Sequence, residues 1–112
     1  RNANQKQGNM EILNLHKAPK VPFDLNGHIL CKHKNLEIVH LTLKPGERIE
    51  KHVNPNDVIF YVLEGKALLE TVNERILVNK DDVVKVEAGR ERGFDNISVS
   101  LFKVMVIKFL PE

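Results

Sequence analysis

From residue 10 onward, no segment of this chain keeps apolar residues at three- and four-residue spacing over the eleven or so positions an amphipathic helix needs. Short runs rich in Val, Ile, Leu and Phe take its place, broken at close intervals by Gly, Pro, Asn and Asp. They predict strands at about 10–15, 27–33, 36–43, 47–52, 57–64, 66–72, 75–79, 82–87 and 97–109. Turn-forming pairs and clusters lie between them: Asn26-Gly27, Pro45-Gly46, Asn54-Pro55-Asn56-Asp57, Glu64-Gly65, Asn73-Glu74 and Asn79-Lys80-Asp81-Asp82. Many short strands at this spacing predict an all-β sandwich or barrel.

A chain of 112 residues has room for one domain, expected over 10–112. Residues 1–9 carry no apolar side chain larger than Ala3 and are expected to be a disordered tail or an expression remnant ahead of Met10. With 42% hydrophobic and 29% charged residues, the chain is too apolar for disorder. The net charge of +2 is spread without blocks, which argues against a nucleic-acid partner. A single Cys excludes an internal disulfide and a multi-cysteine zinc site. No apolar run approaches the roughly 20 residues that span a bilayer, and no signal-peptide pattern is visible. The expectation is a soluble cytoplasmic domain with no membrane partner. In the last predicted strand Val104, Met105, Val106 and Ile107 make both faces apolar. A second subunit covering one face, in a homodimer, is expected because a core this small gains from association.

Two segments carry the functional signal. The first runs from Pro45-Gly46 through His52 and Asn54 to Phe60-Tyr61-Val62-Leu63-Glu64-Gly65, and the second from Asp81 to Asn96. In order and spacing they resemble the paired motifs of the cupin family, G-x5-H-x-H-x3,4-E-x6-G and G-x5-P-x-G-x2-H-x3-N. Gly46, His52 and Gly65 match the first pattern. In the second, Gly89 and Asn96 match, while Asp81, Glu87 and Arg92 stand at the leading Gly, the Pro and the His. The resemblance covers roughly residues 36–109 and is to a small single-domain cupin with degraded metal-binding motifs. It implies a double-stranded β-helix, the jelly-roll barrel.

The resemblance also implies a metal held by two histidines, a glutamate and a third histidine. Here those positions are His52, Asn54, Val58 and Arg92. Val58 has no lone pair and Arg92 is a permanent cation, so no metal site and no cofactor are expected. Asp57 lies one residue short of the glutamate position and would reach the interior only through a bulge at Asn54-Pro55.

An arginine inside a barrel needs an acid, solvent or an anionic ligand. His52, Asn54 and Arg92, if they converge, suit a carboxylate or phosphate group, with Phe60 and Phe94 as an apolar or aromatic wall. Alternatively Arg92 bonds to Glu50, Glu91 or Asp95 at the rim. His52 is either a structural histidine bonded to Asn54 or a backbone carbonyl, or the one acid–base candidate; no catalytic residue is assigned.

The remaining histidines say less. Strict alternation puts Cys31 and His33 on one face of their strand and His28 on the other, and His16 and His40 have no visible partner. The charged run from Lys80 to Arg92 reads as a solvated edge, and Asn96-Ile97-Ser98 as a glycosylation tripeptide without a secretory context. Three function classes follow. They are a metal-free binder of a small anionic molecule, a cupin enzyme (metal-dependent, or an acid–base catalyst using His52), and a structural or interaction barrel with a filled cavity.

Overall fold

The computed structural model describes residues 5–111. Among the described residues eleven strands follow one another, with a single 3-10 turn at Leu15–Lys17. They are β1 (Gln5–Gln7), β2 (Met10–Ile12), β3 (Asn26–His33), β4 (Leu36–Leu43), β5 (Arg48–Val53), β6 (Val58–Glu64), β7 (Lys66–Glu70), β8 (Arg75–Asn79), β9 (Val83–Val86), β10 (Glu91–Asp95) and β11 (Phe102–Phe109). β1 and β2 form a small hairpin, so the boundary expected before Met10 falls inside its turn; residues 1–4 lie outside the described residues. The remaining strands make a four-stranded sheet, β5-β10-β7-β8, and a five-stranded sheet, β3-β4-β11-β6-β9. This is the all-β jelly-roll barrel that the resemblance implies. Among the described residues, no helix is long and apolar enough to cross a membrane.

The core lies where the sheets face each other. Val39, Leu43, Val58, Val62, Val104 and Val106 come from the larger sheet, and Ala67, Leu69, Val78 and Phe94 from the smaller. These positions alternate along their strands, as a sheet buried on one face requires. Phe94 packs edge-to-face on Phe60, with centroids 5.0 Å apart, and tilted on Phe102 at 5.4 Å.

Three differences from the expected strands have physical causes. The strand expected at 97–109 begins only at Phe102. Asn96 is fully buried, and its Nδ2 donates to the Leu43 and Ser100 carbonyls at 3.1 and 2.9 Å. Its Oδ1 accepts from the Ser98 amide and hydroxyl, which folds 96–100 into a compact loop instead of a strand. β10, which the expected strands lack, begins at the end of the charged run: Arg92 is buried, not on a solvated edge. The first predicted strand stops at Ile12, because Asn14 caps the 3-10 turn by accepting from the His16 amide.

Two glycines carry backbone geometry that no other residue fits. Gly65 has φ +76°, and a Cβ there would run into the Leu101 carbonyl oxygen. Gly93 lies opposite a β-bulge. Arg92 pairs with His52 and Phe94 with Ile49, so Glu50 and Lys51 together oppose Gly93. A Cβ on Gly93 would collide with the Ile49 carbonyl oxygen and crowd the Lys51 amide. Gly93→Ala is expected to cost about 1–3 kcal/mol, as overpacking does. Thermal unfolding of the variant checks this, with a drop in Tm of several degrees as the expected result.

Candidate functional site

The bulge decides which β5 side chains face inward. In unbroken alternation Ile49 would share its face with Lys51 and Val53. The extra residue moves His52 onto the Ile49 face, directly opposite Arg92, which in turn shares a face with Phe94 two residues on. Between this β5–β10 pair and strands β4, β6 and β11 lies a cavity of about 380 Å³. The walls are Val39, Leu41, Ile49, Phe60, Phe94 and Val106. All five expected site residues, His52, Asn54, Phe60, Arg92 and Phe94, line it. Val21, Phe23 and Leu25, from the segment ahead of β3, complete the lining, and Phe23 is largely exposed. These three were missed by the sequence reading, although apolar residues at alternate positions around Pro22 were a signal for an extended, half-buried segment.

Arg92 is the unusual member. It is only 3% exposed, and its sole hydrogen bond among the described residues runs from Nη1 to the His52 carbonyl at 3.3 Å. Its Nε is buried without a partner. The guanidinium carbon lies 5.6 Å from the centre of the Phe60 ring, a cation–π contact.

The acids proposed for its rim pairing are not bonded to it. Glu50 meets Arg48 at 3.4 Å, and Asp95 meets Arg48 and Arg75 at 2.9 Å each. Glu91 forms no ion pair among the described residues. Burial pushes the Arg92 guanidinium below its ordinary pKa, yet an arginine stays protonated at neutral pH.

His52 and Asn54 are held by backbone. The His52 ring approaches the Glu50 carbonyl at 3.0 Å through Nδ1, and since a carbonyl only accepts, Nδ1 carries the proton and Nε2 is left open. This is the structural bond to a backbone carbonyl weighed for His52, in a side chain that is nonetheless exposed. Asn54 Oδ1 accepts from the Asn56 amide at 2.9 Å, closing a turn and leaving its NH₂ for another acceptor.

The residues do not fit the metal that the family pattern implies. Val58 is buried in the core, and Arg92 brings a positive charge to the position of a ligand. The Asp57 rescue fails, because its Oδ1 accepts from the Ala88 amide at 2.8 Å in an exposed turn. Among the described residues no three His, Cys, Asp or Glu gather closely enough to hold an ion.

Elsewhere, a bulge corrects the face expected for His28. The β3–β4 register shifts between Ile29 and Cys31, so His28, Cys31 and His33 oppose His40, Ile38 and Leu36 and share one face. They remain strung along the strand. Burial first, then Lys103 and His28, holds the His40 imidazole below its ordinary pKa.

An unpartnered buried cation destabilises the fold that contains it. Arg92→Met keeps the length of the side chain and removes the charge. Unfolding of the ligand-free variant is expected at a higher Tm, with a gain of about 1 kcal/mol; an unchanged or lower Tm would show that the guanidinium is already satisfied.

The family model described as cupin domain matches residues 39–108. Among solved structures, a cupin 2 conserved barrel domain protein from Salinispora arenicola CNS-205 superposes with a TM-score of 0.78 at 21% identity, over 89% of this chain and 88% of that one. An RmlC-like cupin from Shewanella frigidimarina NCIMB 400 gives 0.76 at 12% identity, covering 98% and 96% of the two chains. A protein from Thermotoga maritima described as a predicted oxalate decarboxylase gives 0.72 at 16% identity, covering 78% and 81%. At these identities the likeness is one of fold. No curated protein matches the sequence.

Proposed function

The chain belongs to the cupin family, and within that family we propose that it is a metal-free binder of a small anion, held by Arg92 in the barrel cavity. The observation that carries this reading is a 3%-exposed guanidinium with an orphan Nε in a cavity of about 380 Å³. A charged group left so poorly partnered is costly unless a ligand completes it, and an oxyanion is the complement a guanidinium is shaped for. The Asn54 NH₂ and the open side of His52 flank it as further polar groups. The same cation opposes the divalent ion of metal-dependent relatives.

Protein prepared without chelators is expected to contain no stoichiometric metal, and small oxyanions are expected to raise its Tm at constant ionic strength. At a hundredfold excess over Kd the shift corresponds to about 2.7 kcal/mol. Arg92→Met is expected to abolish the shift. One equivalent of a transition metal per chain, or an equal shift in the variant, overturns the reading.

We also propose that the chain forms a homodimer through the outer face of the five-stranded sheet. Ladder rows there run Ile38–Ile107–Ile59 and His40–Met105–Tyr61 across three neighbouring strands. The patch lies at the centre of the sheet rather than at its edge, and packing one such face on its twofold mate would cover both at once. Sedimentation of Met105→Lys is expected to show a monomer where the wild-type chain shows a dimer; a monomeric wild type would overturn this.

A further inference from the structure

Resting on the anion-binding reading, we infer that the ligand is a monocarboxylate with an apolar body, its carboxylate on Arg92 and its body against the aliphatic and aromatic wall.

The charge inventory of the cavity fixes the number of charges. Arg48 meets Glu50 at 3.4 Å as well as Glu70 and Asp95, and Lys108 shares Glu37 with Lys32 at 3.7 Å each. Arg92 alone among the lining cations has no carboxylate partner among the described residues. One unmatched positive charge is neutralised by one negative charge; a second brought into the same cavity would have to displace an existing pair or remain unpaired.

The walls fix the rest of the molecule. Val39, Leu41, Ile49, Phe60, Phe94 and Val106 offer no hydrogen-bonding side chain, so beyond the few polar groups around Arg92, the Asn54 NH₂ and His52 among them, a strongly hydrated body such as a sugar or a polyol would lose most of its water without replacement. An apolar body gains by the same transfer. The volume of about 380 Å³ holds roughly a dozen water-sized groups, which bounds the ligand to a small molecule. Phe23, two-thirds exposed where the N-terminal segment meets the cavity, adds an aromatic side chain against which such a body can pack.

The test is calorimetric titration of the full chain with acetate, butyrate, hexanoate, adipate, inorganic phosphate and 1-hexanol at one ionic strength. Affinity is expected to rise up to roughly fourfold per methylene from acetate to hexanoate. Adipate and phosphate are expected to bind at least tenfold more weakly than hexanoate, and 1-hexanol likewise. Arg92→Met should remove the difference between hexanoate and 1-hexanol. Phe23→Ser, at an exposed position that the fold does not need, should weaken hexanoate while leaving acetate unchanged.

If phosphate and acetate bind as well as hexanoate, the anion site stands and the apolar-body inference falls. If adipate matches hexanoate, Lys108 takes a second carboxylate and the monoanion assignment falls. If 1-hexanol matches hexanoate, or nothing binds, the anion-binding reading itself falls and this inference with it.

Discussion

The bulge opposite Gly93 is the constraint on which the cavity depends. Without it β5 would present Lys51 and Val53 inward beside Ile49, and His52 would face solvent. A single extra residue in one strand exchanges a lysine for an imidazole at the wall and brings His52 opposite Arg92. The partner strand can close on that bulge only because position 93 has no side chain, since the Ile49 carbonyl and the Lys51 amide occupy the space a Cβ would fill. The conformation of one strand and the residue type of its neighbour are therefore one feature.

β10 shows how differently one strand can treat its charges. Asp95 and Glu70, on the outward face of the smaller sheet, lie beneath Arg48 and Arg75. The four groups close a network with separations of 2.6 to 3.1 Å. That network leaves each carboxylate with two arginines. Three residues earlier, Arg92 turns inward and has a 3.3 Å contact to a carbonyl and the face of Phe60. Asp95 is committed to Arg48 and Arg75 on the other side of the sheet, and Glu50 meets Arg48. The contrast separates a closed ion cluster from a buried cation that meets no carboxylate among the described residues.

The two motif segments also build the frame. Asn96 ties the end of β4 to the loop before β11 through the Leu43 and Ser100 carbonyls, and its backbone exchanges bonds with Gly46 and Glu47. That loop passes so close to Gly65 that the two positions constrain each other. Asp81 stands where the family pattern has glycine and adopts φ +73°, a left-handed conformation that aspartate tolerates better than most residues. In this chain the motif positions that shape the backbone are kept or replaced by tolerable substitutes, while those that would bind a metal are not.

Much of this was legible in the sequence. Alternation and turn chemistry determined nine of the eleven strands, all but β1 and β10, and motif spacing determined the family fold and singled out His52, Asn54, Phe60, Arg92 and Phe94. Those features are local or depend on fixed spacing, so one-dimensional information suffices for them. Tertiary structure alone decided three other things. It placed Arg92 out of reach of Glu50, Glu91 and Asp95, because which acid an arginine meets depends on which face each strand turns inward. It recruited Val21, Phe23 and Leu25 to a cavity built from strands far along the chain. And through bulges in β3 and β5 it changed which side chains share a face, since a single inserted residue reverses alternation in a way that period-two reading cannot foresee.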